Sequence, residues 1–141
     1  MAIQLNHTIV HSADKRAAAE FFTSLFGLPA PKPFYGFLDV EVSNGVTLAF
    51  LDADGMEIQV QHYAFLVSEA EFDQIFGRIK KRKLKYWADP GQKEAGKINR
   101  HFGGRGVYFL DLSGHLLEII TKPYANELTS HQLASRSAKR K

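Results

Sequence analysis

The chain has 141 residues, no cysteine and a formal net charge of +3. That length supports one domain with a sizeable core, and the lack of cysteine excludes disulfides and thiolate metal sites and suits a cytoplasmic setting. A hydrophobic content of 45% with 11 phenylalanines excludes a disordered chain, and no apolar run nears the roughly 20 residues of a membrane span.

The charge is unevenly placed. Lys122, Arg136, Lys139, Arg140 and Lys141 are set against Glu127 alone, so residues 122–141 carry +4 and residues 1–121 carry −1. A globular domain over 1–124, with modules of about 1–56 and 57–124, and a basic, flexible tail over 125–141 are expected. Lys80 to Lys83 fall at a helix C-terminus, where cations suit the macrodipole. No base-stacking or groove-reading motif accompanies these charges, so nucleic-acid binding is disfavoured. The N-terminal M-A-I-Q-L has neither the basic flank nor the apolar length of a signal peptide.

Residues 3–10 read as a strand. Ser12 offers an N-cap, and Ala18, Phe21, Phe22 and Leu25 form one apolar helical face. Gly27 suits a left-handed C-cap, and Pro29, Pro31 and Pro33 prevent continuation. Residues 36–42 and 46–52 are strands joined through Asn44-Gly45, a hairpin signal. Asp54-Gly55 makes the next turn, and extended chain over 56–67 leads through His62. Ser68 and Glu71 then form a capping box ahead of Phe72, Ile75, Phe76 and Ile79 at helical spacing. A short strand near 85–88 precedes a long loop through 89–101, and 105–112 and 115–121 form a last hairpin turning at Ser113-Gly114.

This is one plan executed twice. L-N-H-T-I-V-H-S from Leu5 and V-Q-H-Y-A-F-L-V-S from Val60 each enter a helix, and each half closes on a glycine and an apolar strand. Aligning the closing strands puts Ala49 opposite Glu118. The expected fold is therefore α+β: two βαβββ modules forming a curved, partly open eight-stranded mixed sheet with helices on the outer face. The repeat keeps metal-capable side chains at His7, His62 and Glu118 and an inert one at Ala49. Two imidazoles and a carboxylate are a ligand set for a divalent ion with open positions. Fe²⁺ or Mn²⁺ is favoured, with Zn²⁺, Ni²⁺ or Co²⁺ able to fit. His11 lies about 13 Å along the strand from His7, too far to share an ion. His115 and His131 are expected to be solvated, and Arg105 to serve either a rim salt bridge or an anionic substrate. Phe34, Tyr35, Phe37 and Phe50 suit an apolar pocket or the core.

Over residues 3–121 the sequence resembles the vicinal oxygen chelate superfamily of glyoxalase, bleomycin-resistance and extradiol-dioxygenase proteins. The first helix, S-A-D-K-R-A-A-A-E-F-F-T-S-L-F-G-L, resembles the family's first helix. N-R-H-F-G-G-R-G-V-Y-F-L-D-L-S-G-H-L-L-E from Asn99 is similar to the extradiol dioxygenase signature, with Leu112 where proline is usual. The resemblance implies metal ligation by His7, His62 and Glu118, with Tyr108 and His101 managing protons. It also implies a small substrate that chelates the ion through vicinal oxygens. Ala49 replaces the fourth ligand of glyoxalase I relatives. Extradiol-like oxidation is weakly favoured. Glyoxalase- or fosfomycin-resistance-type lyase or transferase chemistry and non-catalytic drug binding are the alternatives. The resemblance implies a homodimer, in which exchanged strands would set His62 of one subunit beside His7 and Glu118 of another.

Overall fold

The structure, a computed structural model, describes residues 2–124; the basic tail at 125–141 lies outside them. In chain order the elements are β1 (His7–Ser12), α1 (Lys15–Phe26), β2 (Lys32–Phe34), β3 (Phe37–Glu41), β4 (Thr47–Asp52), β5 (His62–Leu66), α2 (Glu69–Lys81), β6 (Tyr86–Trp87), a 3₁₀ turn at His101–Gly103, β7 (Gly106–Leu110) and β8 (Leu116–Ile120). The eight strands divide evenly into two mixed sheets, ordered β1-β4-β3-β2 and β5-β8-β7-β6. In each, the first strand of the module runs parallel to the last.

The duplication is visible in the register. His7 pairs with Thr47 and Ile9 with Ala49; His62 pairs with Leu116 and Ala64 with Glu118. Ala49 and Glu118 therefore hold equivalent positions, as the alignment of the closing strands predicts.

Alternation along the strands sends one face of each sheet to the helices. Val10, Leu38, Val40, Leu48 and Phe50 from the first sheet, and Val107, Phe109, Leu117 and Ile119 from the second, join Phe22, Leu25, Phe72, Ile75 and Ile79 in a single buried cluster. Phe26 of α1 reaches the second sheet, its ring 5.0 Å from Phe65. The Arg78 guanidinium of α2 donates to the Leu25 carbonyl at the end of α1, 2.9 Å away, satisfying a helix-terminal acceptor.

Local signals behave as their chemistry predicts, with three exceptions. Gly27 takes the left-handed C-cap of α1 and Ser68 with Glu71 closes a capping box on α2. The N-cap of α1 is Asp14, which accepts from the Arg16 and Ala17 amides; Ser12 is instead the buried last residue of β1. The first strand after α1 is β2, which contains Pro33. It is an edge strand, where a missing N–H is tolerated, and it turns into β3 through Tyr35 and Gly36, both at positive φ. Residues 3–6 and 56–61, expected as strand, lie outside the ladders. No described helix is long and apolar enough to cross a membrane.

Candidate functional site

The face of each sheet turned away from the helices is where the singled-out residues fall. From the second sheet it presents His62, Ala64 and Leu66 on β5, Glu118 on β8 and Tyr108 on β7, with Tyr108 directly opposite Glu118. From the first it presents His7 and Ile9 on β1, Ala49 on β4 and Asp39 on β3, with Asp39 directly opposite Ala49.

Glu118 is completely buried, so both of its oxygens need partners. Oε1 lies 3.1 Å from His62 Nε2, and the Tyr124 hydroxyl donates to Oε2. The other nitrogen of the imidazole settles its tautomer. His62 Nδ1 is 3.0 Å from the Leu116 carbonyl oxygen, which can only accept, so Nδ1 carries the proton. A neutral ring then points the Nε2 lone pair at a carboxylate oxygen, an arrangement that needs a cation between them, either a second proton or a metal ion. Backbone locking of Nδ1 is also how a ligating histidine is commonly oriented. On donor chemistry the His62–Glu118 pair therefore fits a divalent ion.

The phenols form a directed chain. Tyr124 gives its proton to Glu118, so Tyr108, 2.8 Å from the Tyr124 oxygen, donates to Tyr124. Burial, then the neighbouring carboxylate and phenol, push the Tyr124 pKa well above its ordinary range. Tyr108 also stacks near His62, with ring centroids 5.9 Å apart. His101 sits in the 3₁₀ turn, exposed, its ring 6.4 Å from Phe102. Phe102 in turn packs 5.1 Å from Tyr124, so His101 stands one residue removed from the phenols.

His7 stands apart from this pair. It opens β1, exposed, with Nδ1 2.7 Å from Asn6 Oδ1. Among the described residues no three His, Cys, Asp or Glu side chains are grouped to hold a metal. His62 and Glu118 share one sheet, on neighbouring strands. His7 belongs to the other sheet. His7 instead lines a cleft of about 370 Å³ with Phe34, Phe37 and Asp39, while Phe50 belongs to the core.

Two other expectations resolve. His115 is buried, not solvated: Nδ1 accepts from the Gln61 amide at 2.9 Å, so Nε2 carries the proton and donates to the His11 carbonyl at 2.7 Å, joining β1 to the second module. Arg105 is the rim residue, paired with Glu69 and Asp73 at 2.8 and 2.9 Å and stacked 4.3 Å over Phe72. His131 lies outside the described residues.

The family model of the Glyoxalase/Bleomycin resistance protein/Dioxygenase superfamily matches residues 4–119. The chain belongs to this superfamily. No curated protein sequence matches it significantly. Among solved structures, "Oxidase ChaP-H1" is 53% identical, with a TM-score of 0.86, covering 89% of this chain and 100% of that one. "Oxidase ChaP-H2" is 52% identical, also with a TM-score of 0.86, covering 89% and 98%. The fosfomycin resistance protein FosX from Mesorhizobium loti, 19% identical with a TM-score of 0.66 and covering 92% and 100%, shares the superfamily fold.

Two residues at the site escape sequence reasoning. Tyr124 follows the last strand in polar sequence with no periodicity to mark it. Asp39 sits in F-L-D-V-E, where alternation reads simply as a solvated face; the signal that finds it is the repeat itself, which makes Asp39 the counterpart of Tyr108.

Proposed function

We propose that the protein is a metal-dependent oxidase of this superfamily acting on a small molecule through vicinal oxygens. The observation that carries the redox choice is the 53% identity to a protein named as an oxidase, over that protein's whole length. The ion, Fe²⁺ or Mn²⁺ in the first instance, is held by His62 and Glu118 of one subunit and the partner subunit's His7. These three residues would hold the ion, which when bound would supply Lewis-acid and redox chemistry toward substrate oxygens and O₂.

The chain's own groups divide the remaining work. The Leu116 carbonyl fixes His62 so that Nε2 faces the centre, and Tyr124 holds Glu118 from its far oxygen. Tyr108, whose hydroxyl donates to Tyr124, presents its oxygen from the neighbouring strand as an acceptor for a substrate hydroxyl, with His101 feeding protons from the loop. Ala49 offers no fourth ligand, which disfavours glyoxalase I chemistry.

A homodimer supports the third ligand. β1 and β5 are edge strands, and Ile9 and Leu66 along them are exposed; open apolar edges are surfaces that second copies cover. Action in the cytoplasm completes the proposal.

The test is to prepare the protein without a tag, load it separately with Fe²⁺, Mn²⁺ and Zn²⁺, and measure bound metal and O₂ uptake with 2,3-dihydroxynaphthalene. Near-stoichiometric metal with O₂ consumption by the iron or manganese form alone is expected, both lost in Glu118→Ala. No bound metal after loading sinks the metal site; no O₂ uptake in any form sinks the oxidase.

A further inference from the structure

The cleft beside His7 contains a group that this reading does not use. Asp39 lies on the same face as His7, and its Oδ1 is a buried oxygen with no hydrogen-bond partner among the described residues. An unpaired buried acceptor costs on the order of 1–3 kcal/mol and persists in native structures mainly where something else satisfies it. Around it Phe34, Phe37, Ile9 and Ala49 supply apolar and aromatic lining, and Asn6, His7 and Thr47 the polar part. Lys32 is directly across the β2–β3 pair and Glu41 two residues along β3. These, with His7, are the charged or titratable groups on that face around Asp39.

The register adds a second, independent observation. Asp39 opposes Ala49 as Tyr108 opposes Glu118. The two modules thus place a proton-handling side chain at the same point of the same face, one a carboxylate and one a phenol.

We infer that Asp39 is a substrate-binding and catalytic residue: its carboxylate accepts the hydrogen bond, and then the proton, of a hydroxyl on an aromatic substrate seated against Phe34 and Phe37. The substrate O–H bond breaks, an O–H bond forms on the carboxylate, and the electron pair stays on the substrate oxygen. This rests on the proposed two-subunit site, in which Asp39 arrives with His7 on one wall while Tyr108 arrives with Glu118 on the other.

The test is binding, measured without O₂ on metal-free and Zn²⁺-loaded full-length protein by calorimetry. The probes are 2-naphthol, which has the donor, and 2-methoxynaphthalene, which lacks it. Wild type should prefer naphthol by about tenfold, the worth of one hydrogen bond to a charged acceptor. Asp39→Ala should erase the preference while leaving methoxynaphthalene binding unchanged. Asp39→Asn, which keeps an acceptor oxygen, should restore part of it, and Lys32→Ala should leave it intact. Circular dichroism checks that each variant is folded. Equal preference in Asp39→Ala, loss of preference in Lys32→Ala, or no binding of either probe would overturn the inference. Because neither O₂ nor a redox metal is present, a failed oxidase assay leaves this result standing, and the converse also holds.

Discussion

Glu118 is a fully buried carboxylate whose two oxygens serve different masters, an imidazole nitrogen and a phenol. A metal ion that binds the folded chain stabilises it by mass action, about 2.7 kcal/mol when its concentration is a hundredfold above Kd. We expect added metal to raise the wild-type melting temperature accordingly and to leave Glu118→Gln unmoved, as read by thermal unfolding with and without the ion. His115 makes the complementary case of a histidine with no chemistry. Both of its nitrogens are committed to backbone, so His115→Ala should cost roughly 2–4 kcal/mol by leaving buried groups unpaired, measured by urea unfolding. Asp111 gives a pH signature. Burial raises its pKa despite hydrogen bonds from the His115 and Ser113 amides. The folded chain then holds a proton that the unfolded chain has released, so stability falls as pH rises from the ordinary aspartate range through the raised value. Asp111→Asn, which keeps the acceptor, should flatten that slope in melting temperatures taken from about pH 4 to pH 7. At this scale the sequence was partly legible. Glu118 stands out because a carboxylate between Leu117 and Ile119 must find partners, whereas Asp39 becomes visible only when neighbouring strands are laid side by side and Tyr124 only through its contact with Glu118.

At the scale of elements, what competes is capping chemistry. Ser12 and Asp14 both have N-cap side chains, and the choice between them depends on where β1 stops pairing with β4 rather than on local preference. Because the ladder runs through Ser12, Asp14 is left to cap. Asp14→Ala should therefore destabilise the protein by about 1 kcal/mol in urea unfolding. The β2–β3 turn was illegible for a similar reason. Tyr35 adopts φ 49°, a conformation far commoner for Asn or Gly, so the dipeptide Tyr35-Gly36 carries little of the hairpin signal that Asn44-Gly45 does. Pro33 hid the strand itself. Both helices, by contrast, were plain from apolar spacing, because Phe, Ile and Leu recurring three and four residues apart share one face only when the backbone is helical.

At the scale of the whole molecule, the repeat made the architecture readable, and the matching positions of His7 with His62 and of Ala49 with Glu118 followed from it. How the modules meet did not, since nothing in a strand's sequence says which chain its exposed edge will cover. Mixing variants tests this directly. His7→Ala and His62→Ala should each bind almost no metal alone. If a site takes His7 from one subunit and His62 with Glu118 from the other, co-refolding them in equal amounts returns one intact site to each mixed dimer, about a quarter of the wild-type metal content in a two-fold dimer. Sites built within single chains would recover none.

The reversal between modules, Asp39 facing Ala49 in one and Glu118 facing Tyr108 in the other, also fixes an electrical property. Each module brings a single carboxylate to its open face at that cross-strand pair. In the proposed two-subunit chamber these two carboxylates would together match one divalent cation, while Lys32 and Glu41 on the Asp39 face offset one another. A neutral substrate would then enter without a counter-ion, and transfer of its proton to Asp39 would keep the ionisation inside the chamber, with no charge crossing its boundary.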